Sequence, residues 1–561
     1  MRKMKGLLLG GAAALATAAS AQAADLPVKA APVEYVKVCS LYGAGFFYIP
    51  GTDTCLKIGG YLRSDHIYGM ANAGGYYMSS PAAQETRTSG DLYSYRARMN
   101  LTVDFRTQSD YGTIRAYAAI IAQQNNGDFA PAGFTAQTNG SAGILRAFIQ
   151  FAGFTVGHAV SYYDFMNGAD YGYLPSVWST GTGVNGTDLI AYTWQIGNGF
   201  SASIDIEDPG NAQNNPLSAL GGTIAPDTGT PGTGRGKLVI NSSIASSLGS
   251  GGTGTAVASD TIRSMTPDLA GNLRVDQAWG SAQVMAAIHN ASGGYYTNVP
   301  GATQAVSVAG ALPTGGAALT TGIGATGAGV QVFGHPGEAW GWAVGGGAKF
   351  VNFLLPRDQI EFQANYCHGA YAYCDIPGLY TQNWMYGRAN TLAMGYAFDG
   401  IFNNGGQVQL TDSFSYAVGY QHYWNQQWRT AVVGGQDYNM FNGNATSQLC
   451  GTAPGSQPVG AAGGAGLYGS IAATTGVVGG QALHFNCSPN WSQSSVSTRT
   501  AWNPHPFLEI GLDLIWFHQH TANSGSVVSL GPQGARPAGV YTFNDQDGYA
   551  MVLRFQKNIL P

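Results

Sequence analysis

Charge is scarce in this chain. Only 10% of its 561 residues are Asp, Glu, Lys or Arg, and the formal balance is −5. A nucleic-acid binder needs a dense basic face and a disordered acidic chain needs uncompensated charge, so both classes are excluded. Long apolar runs are scarce too. Past residue 23 no stretch of about 18 apolar residues occurs, so no spanning helix is expected, and a membrane crossing would have to be made by strands. No CxxC, HExxH, GxSxG or GxxxxGK[ST] pattern occurs, which removes the zinc-ribbon, metalloprotease, nucleophile-elbow and phosphate-loop signatures. The ten histidines are scattered. His518 and His520 lie at a strand end and read as interface or loop residues rather than ligands. No catalytic residue, metal site or cofactor is expected, although barrel enzymes with a Ser/His/acid site on the rim exist.

What is present begins with an export signal. Arg2, Lys3 and Lys5 precede an apolar stretch from Gly6 to Ala19, and Ala21-Gln22-Ala23 is a small-residue cleavage site. The run is shorter than the roughly 20 residues a retained anchor needs, so residues 1–23 read as a signal peptide. Losing its three cations takes the formal charge from −5 to −8. Six cysteines form an even set in an exported chain, which favours disulfides. The nearest-neighbour pairs, Cys39 with Cys55, Cys367 with Cys374 and Cys450 with Cys487, each fall inside one connecting segment and are the favoured pairing. Free buried thiols are the alternative.

The stretch from Tyr93 to Arg106, YSYRARMNLTVDFR, shows the chain's main device. Its odd positions are apolar or aromatic and its even positions, Ser94, Arg96, Arg98, Asn100, Thr102, Asp104 and Arg106, are all polar. That is a strand with two unlike faces. The chain turns after Asp110 and continues the alternation through Ile114, Ala116, Ala118 and Ile120 against Thr113 and Arg115. The same pattern appears from Leu56 to Ile67 and from Ile144 to Phe151, which turns at Ala152-Gly153. It recurs in hairpins joining Leu189–Ile196 to Phe200–Glu207, Leu273–Trp279 to Ala282–His289 and Trp340–Val351 to Gln359–Tyr366. Ser413–Trp424 joins Trp428–Asp437, Val496–Trp502 turns at Asn503-Pro504-His505 into Phe507–His518, and Tyr549–Gln556 closes the series. Seven tight hairpins and one strand at each end give sixteen strands. The segment 391–402 is open: it reads as a further strand without a partner.

Connectors fall into two populations, short turns within hairpins and long Gly/Ala/Thr/Ser/Asn-rich segments between them. Long loops at one end, short turns at the other, an apolar belt and an even strand number describe a transmembrane β-barrel. The expected fold is therefore all-β: a 16-stranded antiparallel transmembrane barrel at 56–561 with short periplasmic turns and long extracellular loops. Residues 24–55, Pro-punctuated and without an alternating face, form an N-terminal periplasmic segment.

The block ADLPVKAAPVEYVKVCSLYGAGFFYIPGTDTCLKIGGYLR, from Ala24 to Arg63, together with the sixteen-strand layout, resembles the alphaproteobacterial outer-membrane general porins. The resemblance extends over nearly the whole chain. It implies a homotrimer of 16-stranded barrels in the outer membrane of a Gram-negative bacterium, in contact with outer-membrane lipid and without nucleic acid. Each barrel would be a passive, water-filled channel for small hydrophilic solutes and ions, with the third long loop folded inward. One departure is the end of the chain, Asn558-Ile559-Leu560-Pro561, where such barrels commonly carry an aromatic residue; the last aromatic here is Phe555.

About sixteen strands leave an aqueous lumen where about eight would be packed shut, so wet-face residues line a pore. Parity places Arg63, Arg96, Arg98, Arg106, Arg115, Arg146, Arg274, Arg499 and Arg554 inward. An arginine at a strand end has a second option, reaching the headgroups, and Arg106 beside its turn is the clearest case. The third loop, residues 162–186, carries Asp164 and Asp170 among Tyr162, Tyr163, Phe165, Tyr171, Tyr173 and Trp178. Folded inside, it would set Asp164 and Asp170 against Arg96, Arg98 and Arg115 as the constriction, a transverse field that selects by charge and radius. Left outside, it would be a surface loop with solvated acids. A solute-specific, anion-binding channel is the alternative to free diffusion, and a closed structural barrel is the third reading.

Overall fold

Alternating apolar and polar side chains commit a segment to extended pairing, because only a pleated strand sorts odd and even positions onto opposite faces. A computed structural model describes residues 37–69, 93–125, 141–173, 186–208, 239–241, 257–259, 266–292, 296–298, 337–374, 382–387, 390–397, 399–402, 408–450, 476–530 and 538–559. The signal at 1–23, the Ala24 to Val36 part of the family-like block, Trp178 and the Leu560-Pro561 end lie outside these residues.

The chain divides into two units, residues 1–56 and 57–561. In the first, Cys39 is bonded to Cys55, Phe46, Tyr42 and Tyr48 pack around that disulfide, and the short strand Phe47–Tyr48 pairs with Leu56 and Cys55.

The second unit is a closed sheet. Its strands in order are β1 (Thr54–Gly69), β2 (Tyr93–Ser109), β3 (Gly112–Asn125), β4 (Ser141–Phe151), β5 (Phe154–Ala159) and β6 (Thr187–Gly197). They continue as β7 (Phe200–Glu207), β8 (Asp268–Gln277), β9 (Gly280–Asn290), β10 (Trp340–Val351), β11 (Gln359–His368) and β12 (Asp412–Tyr423). The last four are β13 (Trp428–Met440), β14 (Trp491–His505), β15 (Leu508–His520) and β16 (Gln546–Asn558). Each pairs with its sequence neighbours, and β16 returns antiparallel to β1 with Arg554 opposite Asp65. No edge remains to be satisfied, as a lipid environment requires.

The turn chemistry is local. Asn198 and Gly199 both take positive φ, 52° and 79°, the mirror-image turn whose twist matches the flanking strands. One turn differs from expectation: β14 runs on to His505 through an irregularity between Trp502 and His505, so the turn falls at Pro506-Phe507. The bulge is what admits Pro504, which has no N–H to give the ladder. The segment 391–402 does form strands, but outside the barrel. Thr391–Tyr396 pairs with Gln382–Tyr386 and Gly539–Phe543, and Gly400–Phe402 with Gln409–Leu410 and Val239–Asn241. These loop strands enclose an apolar core containing Leu392, Met394, Ile401, Phe441, Val528 and Phe543. Two further disulfides tie down the connectors: Cys367 near the end of β11 bonds Cys374, and Cys450 bonds Cys487.

Burial is inverted relative to a water-soluble protein. Outward positions such as Ile144, Trp194, Leu273 and Val284 are exposed, while inward Arg96, Asp205, Gln363, Ser415 and Asp513 are buried. Each large apolar side chain left in water forfeits about 1.5–3 kcal/mol, so a continuous belt of them is tolerable only against acyl chains. Aromatic pairs edge the belt at both ends: Trp428 stacks on Trp502 near the turns, and Trp342 lies against Tyr366 near the loops.

Candidate functional site

The connector after β5 leaves the sheet and enters the lumen. Non-helical backbone at membrane depth must have its polar groups satisfied by protein or water, and here side chains of distant strands do it. The Tyr162 amide donates to Asp205 Oδ2 at 3.3 Å, and its carbonyl accepts from Asn272 Nδ2 at 2.6 Å. The Phe165 and Met166 amides both donate to Gln363 Oε1, at 3.1 and 2.8 Å. Arg499 donates to the Asp170 carbonyl at 2.7 Å, and the Tyr173 amide to Asp513 Oδ2 at 2.6 Å. Phenols complete the docking. Tyr171 donates to Glu361 Oε2 at 2.9 Å and Tyr173 to Glu509 Oε1 at 2.6 Å. Burial first, and then the adjacent carboxylate, hold both phenols well above their ordinary pKa, so both remain donors.

The loop therefore lies along the β7–β15 wall, and that wall is shaped for it. Inward positions Gly345, Gly347, Gly419 and Gly511 carry no side chain where the loop's aromatic rings sit. A Cβ at Gly345 would come 3.0 Å from the Tyr163 hydroxyl, one at Gly347 2.5 Å from Phe165, and one at Gly419 2.6 Å from Tyr171. Tyr173 occupies the space beside Gly511 in the same way. Arg554 stands over the Tyr173 ring at 4.0 Å and Arg274 over Phe165 at 5.4 Å, contacts of the cation–π type.

The β1–β4 wall is built otherwise. Asp65 is fully buried and bonds Arg96 at 2.5 Å, Arg554 at 2.6 Å and Arg63 at 3.3 Å. Arg98 donates twice to Gln123 Oε1, at 2.9 and 2.6 Å. Asp104 is shared by Arg106 at 2.9 Å and Arg115 at 3.0 Å, and Arg115 also reaches Gln150. Arg146 donates to the Leu145 carbonyl; on β8, in the other wall, Arg274 pairs with Asp276 at 2.9 Å.

The nine arginines that parity assigns to the wet face differ in how far they meet water. Arg96 and Arg98 are 1% and 7% exposed, whereas the Arg106 and Arg115 side chains are 27% exposed. Asp164 acts electrostatically on Arg146. Asp170 is exposed to the lumen and has Lys349 and Arg499 as its charged neighbours. Its carboxyl is raised above the usual range by surrounding protein, against the pull of those two cations. Arg146 is thus a charged neighbour of Asp164, and Lys349 and Arg499 are those of Asp170. Lys349, Gln363 and the socket glycines escaped the sequence reading. The available signal was glycine recurring at wet parity in GWAVGGGAKF, YAVGYQHY and LEIGLDLIW.

A closed barrel with a loop seated inside it is matched by one family description, "Porin subfamily", over residues 25–552. The chain belongs to the porin subfamily. Family membership places it in the outer membrane. Among relatives, a 218-residue stretch of this porin, 37% of the chain, is 34% identical to "Porin Omp2b" of Brucella suis and covers 52% of it. A 236-residue stretch, 39% of the chain, is 36% identical to "Porin Omp2a" of Brucella ovis and covers 63% of it. The porin thus spans about half the length of the curated Omp2b relatives it matches. Among solved structures, the outer membrane channel DcaP of Acinetobacter baumannii aligns with a TM-score of 0.48 at 12% identity, over 91% of this chain and 99% of that one. An anion-selective porin from Comamonas acidovorans aligns with a TM-score of 0.39 at 9% identity, over 90% and 100%.

Proposed function

We propose that this porin is a passive, water-filled diffusion channel for small hydrophilic solutes and ions, working as a homotrimer of barrels in outer-membrane lipid. In this reading residues 1–23 are the export signal, 24–55 a periplasmic segment, and 56–561 the barrel with its constriction loop at 162–186. The observation that carries the reading is the asymmetry of the lumen: the described loop residues are fastened to the β7–β15 wall, opposite in character to the arginine-bearing β1–β4 wall. Asp164 and Asp170 on the loop and Arg115 on the wall are the groups in contact with water. Arg96 and Arg98, withdrawn behind them, add their charge to the field, since low-dielectric surroundings weaken it less than water does. Arg63, Arg146, Arg274, Arg499 and Arg554 complete the basic lining.

The test is conductance and reversal potential of the refolded mature protein in planar bilayers. Ohmic current in sets of three equal steps is expected, with ion selectivity shifted by Asp170→Asn and by Arg98→Gln in opposite directions. A barrel that inserts and carries no current sinks the channel reading, and unchanged selectivity in both variants sinks the constriction. An anion-binding channel is the second reading, favoured by one observation: Arg63, Arg96 and Arg554 converge on the single carboxylate of Asp65, leaving that patch net positive. Saturable conductance with one anion would separate it from free diffusion.

A further inference from the structure

The loop-side rim where β15 meets β16 carries a cluster that solute passage does not use. His518 and His520 occupy alternate positions at the end of β15, in register with Trp516 on its outward face. Across the strand pair Asp547 lies directly opposite His518, and Asp545 immediately precedes β16. His520 Nδ1 is 2.7 Å from Asp545 Oδ2, and His518 Nε2 is 3.8 Å from the same oxygen. The donor atoms of His518, His520 and Asp545 all lie within 4.8 Å of one another.

The other polar atoms of His518 and Asp545 are committed elsewhere. His518 Nδ1 is 3.0 Å from Asp547 Oδ1, which also accepts from Trp516 Nε1 at 2.9 Å. Asp545 Oδ1 accepts from the Thr521 amide at 2.9 Å. Each group therefore turns its other atom, His518 Nε2 and Asp545 Oδ2, toward His520 Nδ1. A carboxylate on the far nitrogen of a ligating imidazole is the usual outer support of a metal-bound histidine, since it fixes the ring and its tautomer.

We propose that His518, His520 and Asp545 bind a divalent transition-metal ion of the zinc type, with Asp547 as the positioning residue. Two imidazoles and one carboxylate suit zinc, copper or nickel and not the oxygen-seeking calcium or magnesium. Tetrahedral coordination needs roughly 3.4 Å between ligand atoms, so the 2.7 Å His520–Asp545 pair must open and the longer separations close, which rotation of these side chains supplies because His520 is 57% and His518 30% exposed. The metal takes the place of the hydrogen between His520 Nδ1 and Asp545 Oδ2; His520 binds as the neutral imidazole with its proton on Nε2, and water fills the fourth position. Among the described residues, two other rim pairs lack this convergence. His158 with Asp188 and His368 with Asp412 each set one imidazole on one carboxylate.

Calorimetric titration of the untagged, refolded protein in detergent with zinc chloride tests the proposal, with cobalt absorption as the spectroscopic readout. One ion per chain is expected, together with visible bands of four-coordinate cobalt. His520→Ala and Asp545→Asn should abolish saturable uptake, Asp547→Asn should weaken it about 10- to 100-fold, and His368→Ala should leave it unchanged. Heat-modifiable migration and unaltered conductance establish that each variant has folded. Absence of saturable zinc uptake by the folded wild type, or uptake indifferent to His520→Ala and Asp545→Asn, would overturn the proposal.

Discussion

The β1–β4 wall and the β7–β15 wall belong to one closed sheet, yet each settles its buried charge differently. On the first, arginines meet carboxylates and amides within neighbouring strands: Asp104 with Arg115 on the next strand, Arg98 with Gln123, and Asp65 with Arg96 and Arg554 across the closure. On the second, Asp205, Glu361, Glu509 and Asp513 accept hydrogen bonds from a loop far away in sequence. The first wall satisfies its charge within the sheet, whereas the second, where Glu361 also pairs with Lys349 and Glu509 with Arg429, shares its carboxylates with the incoming loop. Damage to the first should therefore appear as loss of barrel stability, and damage to the second as an altered channel.

The largest separation of the two should come from Asp65→Asn. It strips three buried guanidinium groups of their shared carboxylate, and breaking such a pair costs about 3–5 kcal/mol. Thermal unfolding of the refolded barrel should move down accordingly while the conductance of intact channels stays close to wild type. Next is Gly419→Leu, which places atoms where the Tyr171 ring, and no backbone atom, is nearest; overpacking of this kind costs about 1–3 kcal/mol. Here the expected result is reversed: barrel unfolding nearly unchanged and single-channel conductance altered by a displaced loop. Gln363→Leu should act on the loop with similar sign and smaller size. It leaves the Phe165 and Met166 amides without their acceptor, a loss of about 1–3 kcal/mol that lumen water partly offsets. Excess current noise is the readout.

The smallest effect is that of pH on Asp170. Its surroundings favour the protonated form, so on acidification it gains a proton earlier than an ordinary carboxyl and the loop loses a negative charge. Reversal potential should move toward anion preference beginning above the usual carboxylate range, and Asp170→Asn should remove that shift.

The first wall was largely legible in the sequence and the second was not, for a physical reason. Parity in YSYRARMNLTVDFR decides which side of a strand is wet, and short turns such as Asn198-Gly199 fix the register that sets neighbours side by side. The disulfide pairs join nearest neighbours in sequence, as expected, although Cys55 and Cys367 lie in strands rather than connectors. The loop's berth depends on side chains that are missing, at Gly345, Gly347, Gly419 and Gly511, and glycine does not advertise which ring will fill its space. Long-range partners are equally silent, since Arg554 reaches Asp65 only because the barrel closes, 489 positions apart. The withdrawal of Arg96 and Arg98 from water belongs to the same class: alternation gives the face, not the depth.

The central claim is that one face of the sheet is wetted by a sealed passage that the third loop enters. Asp170→Cys and Met99→Cys, each opened to a charged, water-soluble thiol reagent while current is recorded across a bilayer, test it most directly. The account predicts a stepwise fall in current for the residue-170 variant and none for the residue-99 variant. Block at residue 99 with silence at residue 170 would contradict it.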